Sequence, residues 1–254
     1  ISKVISKTDD VISDFQPEAI LILGDTDSSL ASIAAKRQKI PIFHMEAGNR
    51  CFDLRVPEEI NRKIVDHLSD INLTYSDFAK SNLIREGILP DQVFKIGSPL
   101  FEVINYYGNN LKEDFFLKKN QLQKKKYILL SFHRDENIQD NNRLINFFKI
   151  LENLNKKFRL KILVSTHPRL KEKIKKNKIK LSKNIIFSKP FGYFEYLSLQ
   201  KNSLLVISDS GSITEEAGIL KIPAISLRED IERQEGMDEG IIMMSDINSD
   251  RVFN

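Results

Sequence analysis

The chain has 254 residues, 41% of them hydrophobic and 29% charged, which is room for one large or two small domains with true cores and excludes a disordered polymer. The net charge of +4 is too mild to imply a nucleic-acid partner; lysines gather in the run 171–183 without interleaved aromatics, as on a solvated helix face. The lone cysteine, Cys51, has no partner for an internal disulfide, and no run of about 18 apolar residues spans a membrane, so a cytoplasmic setting and no membrane partner are expected.

In chain order, an amphipathic, helix-like opening leads into a short apolar run, Ala19–Leu23. More such runs follow at Ile40–Met45, Ile71–Thr74 and Val93–Ile96, then at Tyr127–Phe132, Leu160–Ser165, Ile185–Ser188, Leu204–Ser208 and Pro223–Leu227. Helical stretches lie between them: Ser28–Gln38, Glu58–Leu68, Asp77–Glu86, Asn142–Leu154 and Ile213–Leu220. This alternation predicts an α/β protein with parallel sheets covered by helices. It pauses in the polar stretch Gly108–Lys126. The expected layout is therefore two doubly wound domains, residues 1–108 and 127–254, joined by a linker at 109–126, with ligands in a cleft beyond the strand ends. The start at Ile1 and the stop at Asn254 both read as cuts through a larger protein.

The unusual polar residues fall at the ends of the runs, where function resides on this architecture. Asp209-Ser210-Gly211-Ser212 makes a small-residue turn into a helix. Its backbone N–H groups and two hydroxyls can hold an anion, with Glu216 one turn on to accept from ribose; a plain serine N-cap would look the same. Pro57-Glu58-Glu59-Ile60-Asn61-Arg62-Lys63 suits a helix start, with Ile60, Ile64 and Leu68 as its buried stripe and Glu58 and Arg62 on one face, which can also be a solvent-exposed ion pair. Asp25, Glu46 and Glu58 all lie at strand-end loops or a helix start. If they converge, their environment tunes them for acid–base work. Asp25-Thr26-Asp27 reads alternatively as a helix cap or as a metal-binding Asp-x-Asp, although no third ligand stands at useful spacing.

Among the histidines, His133 follows a strand beside Arg134 and is a functional candidate. His167 precedes Pro168, and function and loop structure are both open. His44 reads as a packed, hydrogen-bonded residue and His67 as a helix C-terminal residue. None has metal-ligand spacing, and nothing marks Cys51 as a nucleophile.

Taken together, these motifs resemble the non-hydrolysing UDP-N-acetylglucosamine 2-epimerase family over nearly the whole chain. The anchors, in order, are Gly24-Asp25-Thr26, His44-Met45-Glu46-Ala47-Gly48, Pro57 to Arg62, His133 to Asn137, His167-Pro168, Asp209 to Ser212 with Glu215-Glu216, and Arg228 to Glu235. The stretch HMEAGNRCFDLRVPEEINRKIVDHLSDINL, with Gln234 to Gly240 after it, is most similar to the bacterial capsule and O-antigen branch, which makes UDP-N-acetyl-L-fucosamine from its 6-deoxy-L-talose epimer. The resemblance implies two Rossmann-like domains in a GT-B-like pair, a metal-free and cofactor-free isomerase, a UDP-sugar substrate and a homodimer. It implies Asp25, Glu46, Glu58 and His133 as catalytic residues. It implies Arg62, Arg134, Tyr196, Ser210, Gly211, Ser212, Glu216 and Arg233 as substrate-binding ones, with Tyr196 against uracil and Arg233 near the phosphates.

Two departures stand out. Gln234 replaces a proline that the family usually has after the arginine. The family's N-terminal strand with its Gly-Thr-Arg-Pro-Glu loop, and its C-terminal helical ending, have no counterpart, so the 254 residues alone are expected to be inactive and poorly stable. The family route is elimination of UDP to a glycal and re-addition after protonation from the opposite face. The alternatives are the UDP-GlcNAc/UDP-ManNAc substrate pair, a GT-B glycosyltransferase, and a UDP-sugar-binding fragment without turnover.

Overall fold

In a computed structural model, the chain is described except at residues 109–110, 112, 167, 177–180, 229–232, 248–251 and 253–254. His167, and residues 229–232 of the stretch from Arg228 to Glu235, lie outside the described residues.

Two compact units emerge. One comprises Ile1–Pro99 with Asp230–Glu235, the other Leu100–Glu229 with Gly236–Asn254. The first holds strands β1 (Ile20–Leu23), β2 (Ile42–Met45), β3 (Ile71–Thr74) and β4 (Val93–Lys95), hydrogen-bonded in the order β1-β2-β3-β4. All neighbours are parallel. The strands form because aliphatic and β-branched residues fill each short run. Helix α1 (Ser2–Phe15) precedes β1, and α2 (Ala31–Arg37), α3 (Pro57–Leu68) and α4 (Asp77–Arg85) connect the strands. The α1–α3 side of the sheet is sealed by Ile12, Ile22, Ala34, Ala35, Ile42 and Val65. The register aligns Ile22 with His44 and His44 with Asn72, so polar residues lie within this buried row. The opposite row is open: Leu21 and Leu23 are 63% and 65% exposed.

The second unit begins with α5 (Pro99–Tyr107) and contains α6 (Glu113–Lys119), so the stretch expected to be a linker at 109–126 carries a helix. Ile104 and Leu111 pack on Leu197, which ties α5 to this unit instead of leaving it before a boundary at residue 108. The strands are β5 (Tyr127–Phe132), β6 (Lys161–Thr166), β7 (Ile185–Ser188), β8 (Leu205–Ser208), β9 (Ala224–Ser226) and β10 (Ile242–Met244), in the parallel order β10-β9-β8-β5-β6-β7. Their connections include α7 (Asp135–Gln139), α8 (Asn141–Phe158), α9 (Pro168–Lys176), α10 (Tyr193–Asn202), α11 (Ile213–Leu220) and α12 (Glu235–Asp238). Asp140 caps α8 by accepting from the Asn142 and Arg143 N–H groups, and Arg159 ends it in the left-handed region. The chain leaves β5 toward β6 and β7, then returns to lay β8 on β5's other side. The carboxyl ends of β5 and β8 are therefore the topological switch point, where doubly wound sheets bind ligands.

Candidate active site

In the first unit the site is a corner at the ends of β1 and β2. Gly24 closes β1 with φ +75°, a conformation that suits glycine, and a Cβ placed there would lie 3.4 Å from Glu46 Oε2. Glu46 thus lies over the turn that carries Asp25. Glu46 itself has φ +70°, uncommon without glycine and frequent at functional positions. Arg233 Nη2 donates to Glu46 Oε1 at 2.5 Å. The arginine expected near phosphates is here on a carboxylate.

Arg62, nearly fully buried, organises the rest. Its Nε donates to Asp25 Oδ2 at 2.9 Å, and its Nη1 to Glu59 Oε2 at 2.7 Å. Glu59 is 0% exposed and also accepts from the Cys51 and Phe52 N–H groups at 3.0 and 3.2 Å. The helix α3 therefore turns Glu59, Arg62, Val65 and Asp66 inward, while Glu58 faces solvent and Ile60 is 48% exposed. The buried stripe expected at Ile60, Ile64 and Leu68 is replaced by a charged one, because Arg62 bridges Glu59 and Asp25. Asp25 and Asp27 have separate partners: Asp27 accepts from Asn61 Nδ2 at 3.3 Å. Among the described residues no group of three His, Cys, Asp or Glu side chains is placed to hold a metal ion. Thr26 stands at the N-cap of the following 3-10 turn without a side-chain cap bond, so capping does not account for this motif. Burial pushes the Cys51 thiol above its ordinary range, away from the thiolate a nucleophile needs.

Behind this corner lies a buried chain of charges. His44 Nδ1 donates to Asp66 Oδ1 at 2.7 Å, Arg50 Nη1 to Asp66 Oδ2 at 2.7 Å, and Arg50 Nη2 to Glu86 Oε2 at 2.6 Å. His44 is thus the packed, hydrogen-bonded residue that its strand position predicts. Burial pulls the Arg50 pKa down, but the bonds to Glu86 and Asp66 outweigh it and raise the value. The bond from Arg50 likewise holds Glu86 below the ordinary carboxylate range.

In the second unit the residues at the switch point do meet. Asp209, fully buried at the end of β8, accepts from the backbone N–H of His133 at 3.1 Å, from that of Arg134 at 2.9 Å and from Asn137 Nδ2 at 3.1 Å. The His133 ring pairs with it through Nδ1 at 2.8 Å. That bond raises the His133 pKa against the opposing effect of burial. Burial pushes Asp209 up, but the His133 ring and the N–H donors overcome it and hold the carboxyl below its ordinary value. Sequence reasoning passed over Asp209 as part of a turn motif. Its place one residue after an apolar run was the only available signal.

The turn that follows brings two hydroxyls to the start of a helix. Ser210 and Ser212 hydroxyls lie 3.0 Å apart, and Ser212 precedes α11 without capping it through its side chain. Side-chain N-capping therefore does not account for Ser212, and the helix N-terminus here carries the positive end of the peptide dipoles. Glu216, on the first turns of α11, accepts from Gln200 Nε2 at 2.6 Å. Tyr196, on α10, has its phenol pushed strongly up by burial and then by Glu216. Its ring lies near-parallel to Phe191, with centroids 6.5 Å apart. Arg134 is half-buried beside His133.

The family model for UDP-N-acetylglucosamine 2-epimerase matches residues 1–254. The chain belongs to this family. The UDP-N-acetylglucosamine 2-epimerase of Methanocaldococcus jannaschii is 35% identical, over 99% of this chain and 71% of its own. A solved structure of that archaeon's UDP-GlcNAc 2-epimerase in complex with UDP-GlcNAc and UDP superposes with a TM-score of 0.87 at 33% identity, over 99% of this chain and 71% of the other. The UDP-N-acetylglucosamine 2-epimerase structure from Rickettsia bellii gives 0.88 at 45% identity, covering 98% and 67%. The chain is thus an isomerase-family α/β protein with two parallel sheets. No helix among the described residues is long and apolar enough to cross a membrane.

Proposed function

We propose that this 2-epimerase-family protein inverts C2 of a UDP-N-acetylhexosamine by eliminating UDP and adding it back. The observation that carries the reading is the corner at Gly24, where Asp25 and Glu46 stand at neighbouring strand ends, each bonded to an arginine. Two carboxylates so placed can serve as the base and the acid that act on opposite faces of the sugar. In the forward half, a carboxylate removes the C2 proton, the C1–O bond breaks, and its electron pair leaves with UDP; a 2-acetamidoglycal remains. In the return half, a proton adds to C2 from the other face and UDP oxygen re-forms the bond to C1. Glu58, facing solvent in this structure, is assigned a catalytic role on the motif alone.

The second unit supplies the nucleotide site in this proposal. The Ser210–Ser212 turn at the N-terminus of α11 takes the diphosphate, and Glu216 takes the ribose. The His133 side chain, whose pKa Asp209 raises, stabilises the charge that grows on departing UDP. Arg134 and Tyr196 complete the nucleotide contacts. UDP-GlcNAc is the first substrate, supported by what the M. jannaschii relative binds. The second reading, formation of UDP-N-acetyl-L-fucosamine for capsule or O-antigen, rests on the motif stretch from His44 to Leu73. A cytoplasmic homodimer is proposed with either.

The test is incubation of the purified full-length protein, with whatever residues flank these 254, in deuterated water with each UDP-sugar, following C2 by NMR. Deuterium at C2 with an epimeric product establishes the reaction, and the sugar that exchanges selects the branch. UDP binding without exchange from either sugar overturns the epimerase reading in favour of a transferase or a binding protein.

A further inference from the structure

Asp66 is a fully buried carboxylate on the inward face of α3, and the mechanism above does not use it. Its two oxygens reach both strand-end turns of the first unit. One route is direct: the Gly48 N–H, two residues after Glu46, donates to Asp66 at 3.3 Å. The other runs through the His44 ring, whose Nδ1 lies 2.7 Å from Asp66 Oδ1 and whose Nε2 lies 3.1 Å from the Gly24 carbonyl oxygen. The Gly24 carbonyl belongs to the peptide that joins Gly24 to Asp25. Arg50 bridges Asp66 to Glu86 at 2.7 and 2.6 Å, so the anchor is itself held from a further side. Gly48 has φ +83°, and a Cβ there would lie 2.3 Å from the Ala79 carbonyl oxygen; the turn that presents its N–H to Asp66 has no slack.

We propose that Asp66 is a positioning residue that sets the Asp25 turn and the Glu46 turn against each other from a single anchor, with His44 as the link to the first. The proposal deepens the epimerase reading and rests on it for its catalytic consequence. A displacement of reacting groups by the order of 1 Å can cost about 100-fold in rate, so the anchor matters more for turnover than for affinity.

The test compares the unmodified full-length protein with Asp66→Asn and His44→Gln, by amide NMR and by C2 deuterium exchange on the UDP-sugar the protein accepts. Asp66→Asn is expected to shift the amides of both turns and to lower kcat roughly 10- to 100-fold, with KM within about two-fold. His44→Gln leaves the Gly48 bond in place, so it should shift the Asp25–Thr26 amides, spare Glu46–Gly48, and lower kcat in the same direction. A purely structural residue would lower the melting temperature and leave kcat of the folded fraction unchanged; that result overturns the proposal. If Asp66→Asn does not fold, His44→Gln decides, and unchanged Asp25–Thr26 amides with unchanged kcat overturn it. If the unmodified protein exchanges no UDP-sugar, the epimerase reading fails. The amide pattern then decides the anchoring by itself: movement of both turns in Asp66→Asn upholds it, and movement of one or neither overturns it.

Discussion

The two sheets bury themselves in different ways. In the second unit β5 is covered on both faces: Tyr127, Ile128, Leu129 and Leu130 are all buried, and Phe132 stacks on Phe147 with centroids 4.0 Å apart. A large apolar cluster from β5, β6, β8 and α8 fills one side. In the first unit the sealed row of the sheet includes His44, Asn72 and Thr74, each 0% exposed. Its interior is organised by ion pairs of Asp66, Arg50, Glu59 and Arg62. The lesson is that one α/β pattern in the sequence yields one unit held chiefly by apolar packing and another in which charge pairing shares that role, and the two should respond differently to mutation.

The largest effects should come from the apolar core and from the buried charges, through different mechanisms. Phe147→Ala, in the second unit, removes a ring packed on Phe132 and should cost about 3–5 kcal/mol in urea unfolding. Arg50→Met leaves Asp66 and Glu86 without their shared cation and should cost a similar 3–5 kcal/mol. Adding Asp66→Asn and Glu86→Gln to it should recover part of that loss, whereas no polar substitution should rescue Phe147→Ala. Equal non-recovery in both units would erase the contrast.

A smaller effect concerns pH. The His133 pKa is raised by Asp209. Its pairing therefore stabilises the second unit fully below the unfolded value of about 6.5, and the contribution fades as pH rises through the folded pKa. Asp209 is shifted the other way, so its share is present above the unfolded carboxyl value and is lost as pH falls through the folded one. Urea unfolding of Asp209→Asn should lose the pH dependence between neutral and mildly alkaline conditions, and the His133 ring should titrate lower by NMR. An unchanged His133 titration would refute the pairing.

The smallest effect belongs to the surface of the first unit. Lys36 and Asp70 bond at 2.7 Å with side chains 41% and 45% exposed. Lys36→Met should change stability by less than about 1 kcal/mol, against several for Arg50, as read by thermal unfolding at fixed salt. A cost equal to that of Arg50→Met would show that burial is not what separates the two pairs.

Much of the architecture is legible in the residues. The runs at Ile71–Thr74, Tyr127–Phe132 and Ile185–Ser188 are strands with those same limits, and Ile213–Leu220 is a helix, because apolar period and length choose local structure. The helices at Pro99–Tyr107 and Glu113–Lys119 and the strand Ile242–Met244 were not. Those helices lie in or beside a polar stretch whose apolar contacts come from residues far along the chain, such as Leu197, and β10 is a three-residue edge strand defined by pairing with β9.

The sequence by itself determined the alternation of strands and helices, the placing of polar motifs at strand ends and, through those ordered motifs, the family. These depend on periodicity and spacing along one chain. The tertiary structure decided which of two adjacent glutamates turns inward, Glu59 instead of Glu58, and that Asp66 and Asp209, ordinary acids on a helix and in a turn, become buried hubs. It also decided that β5 and β8 are neighbours, which creates the switch point. Those outcomes depend on which donors and cations arrive from other elements to compensate a buried carboxylate, and a linear pattern carries no record of that meeting.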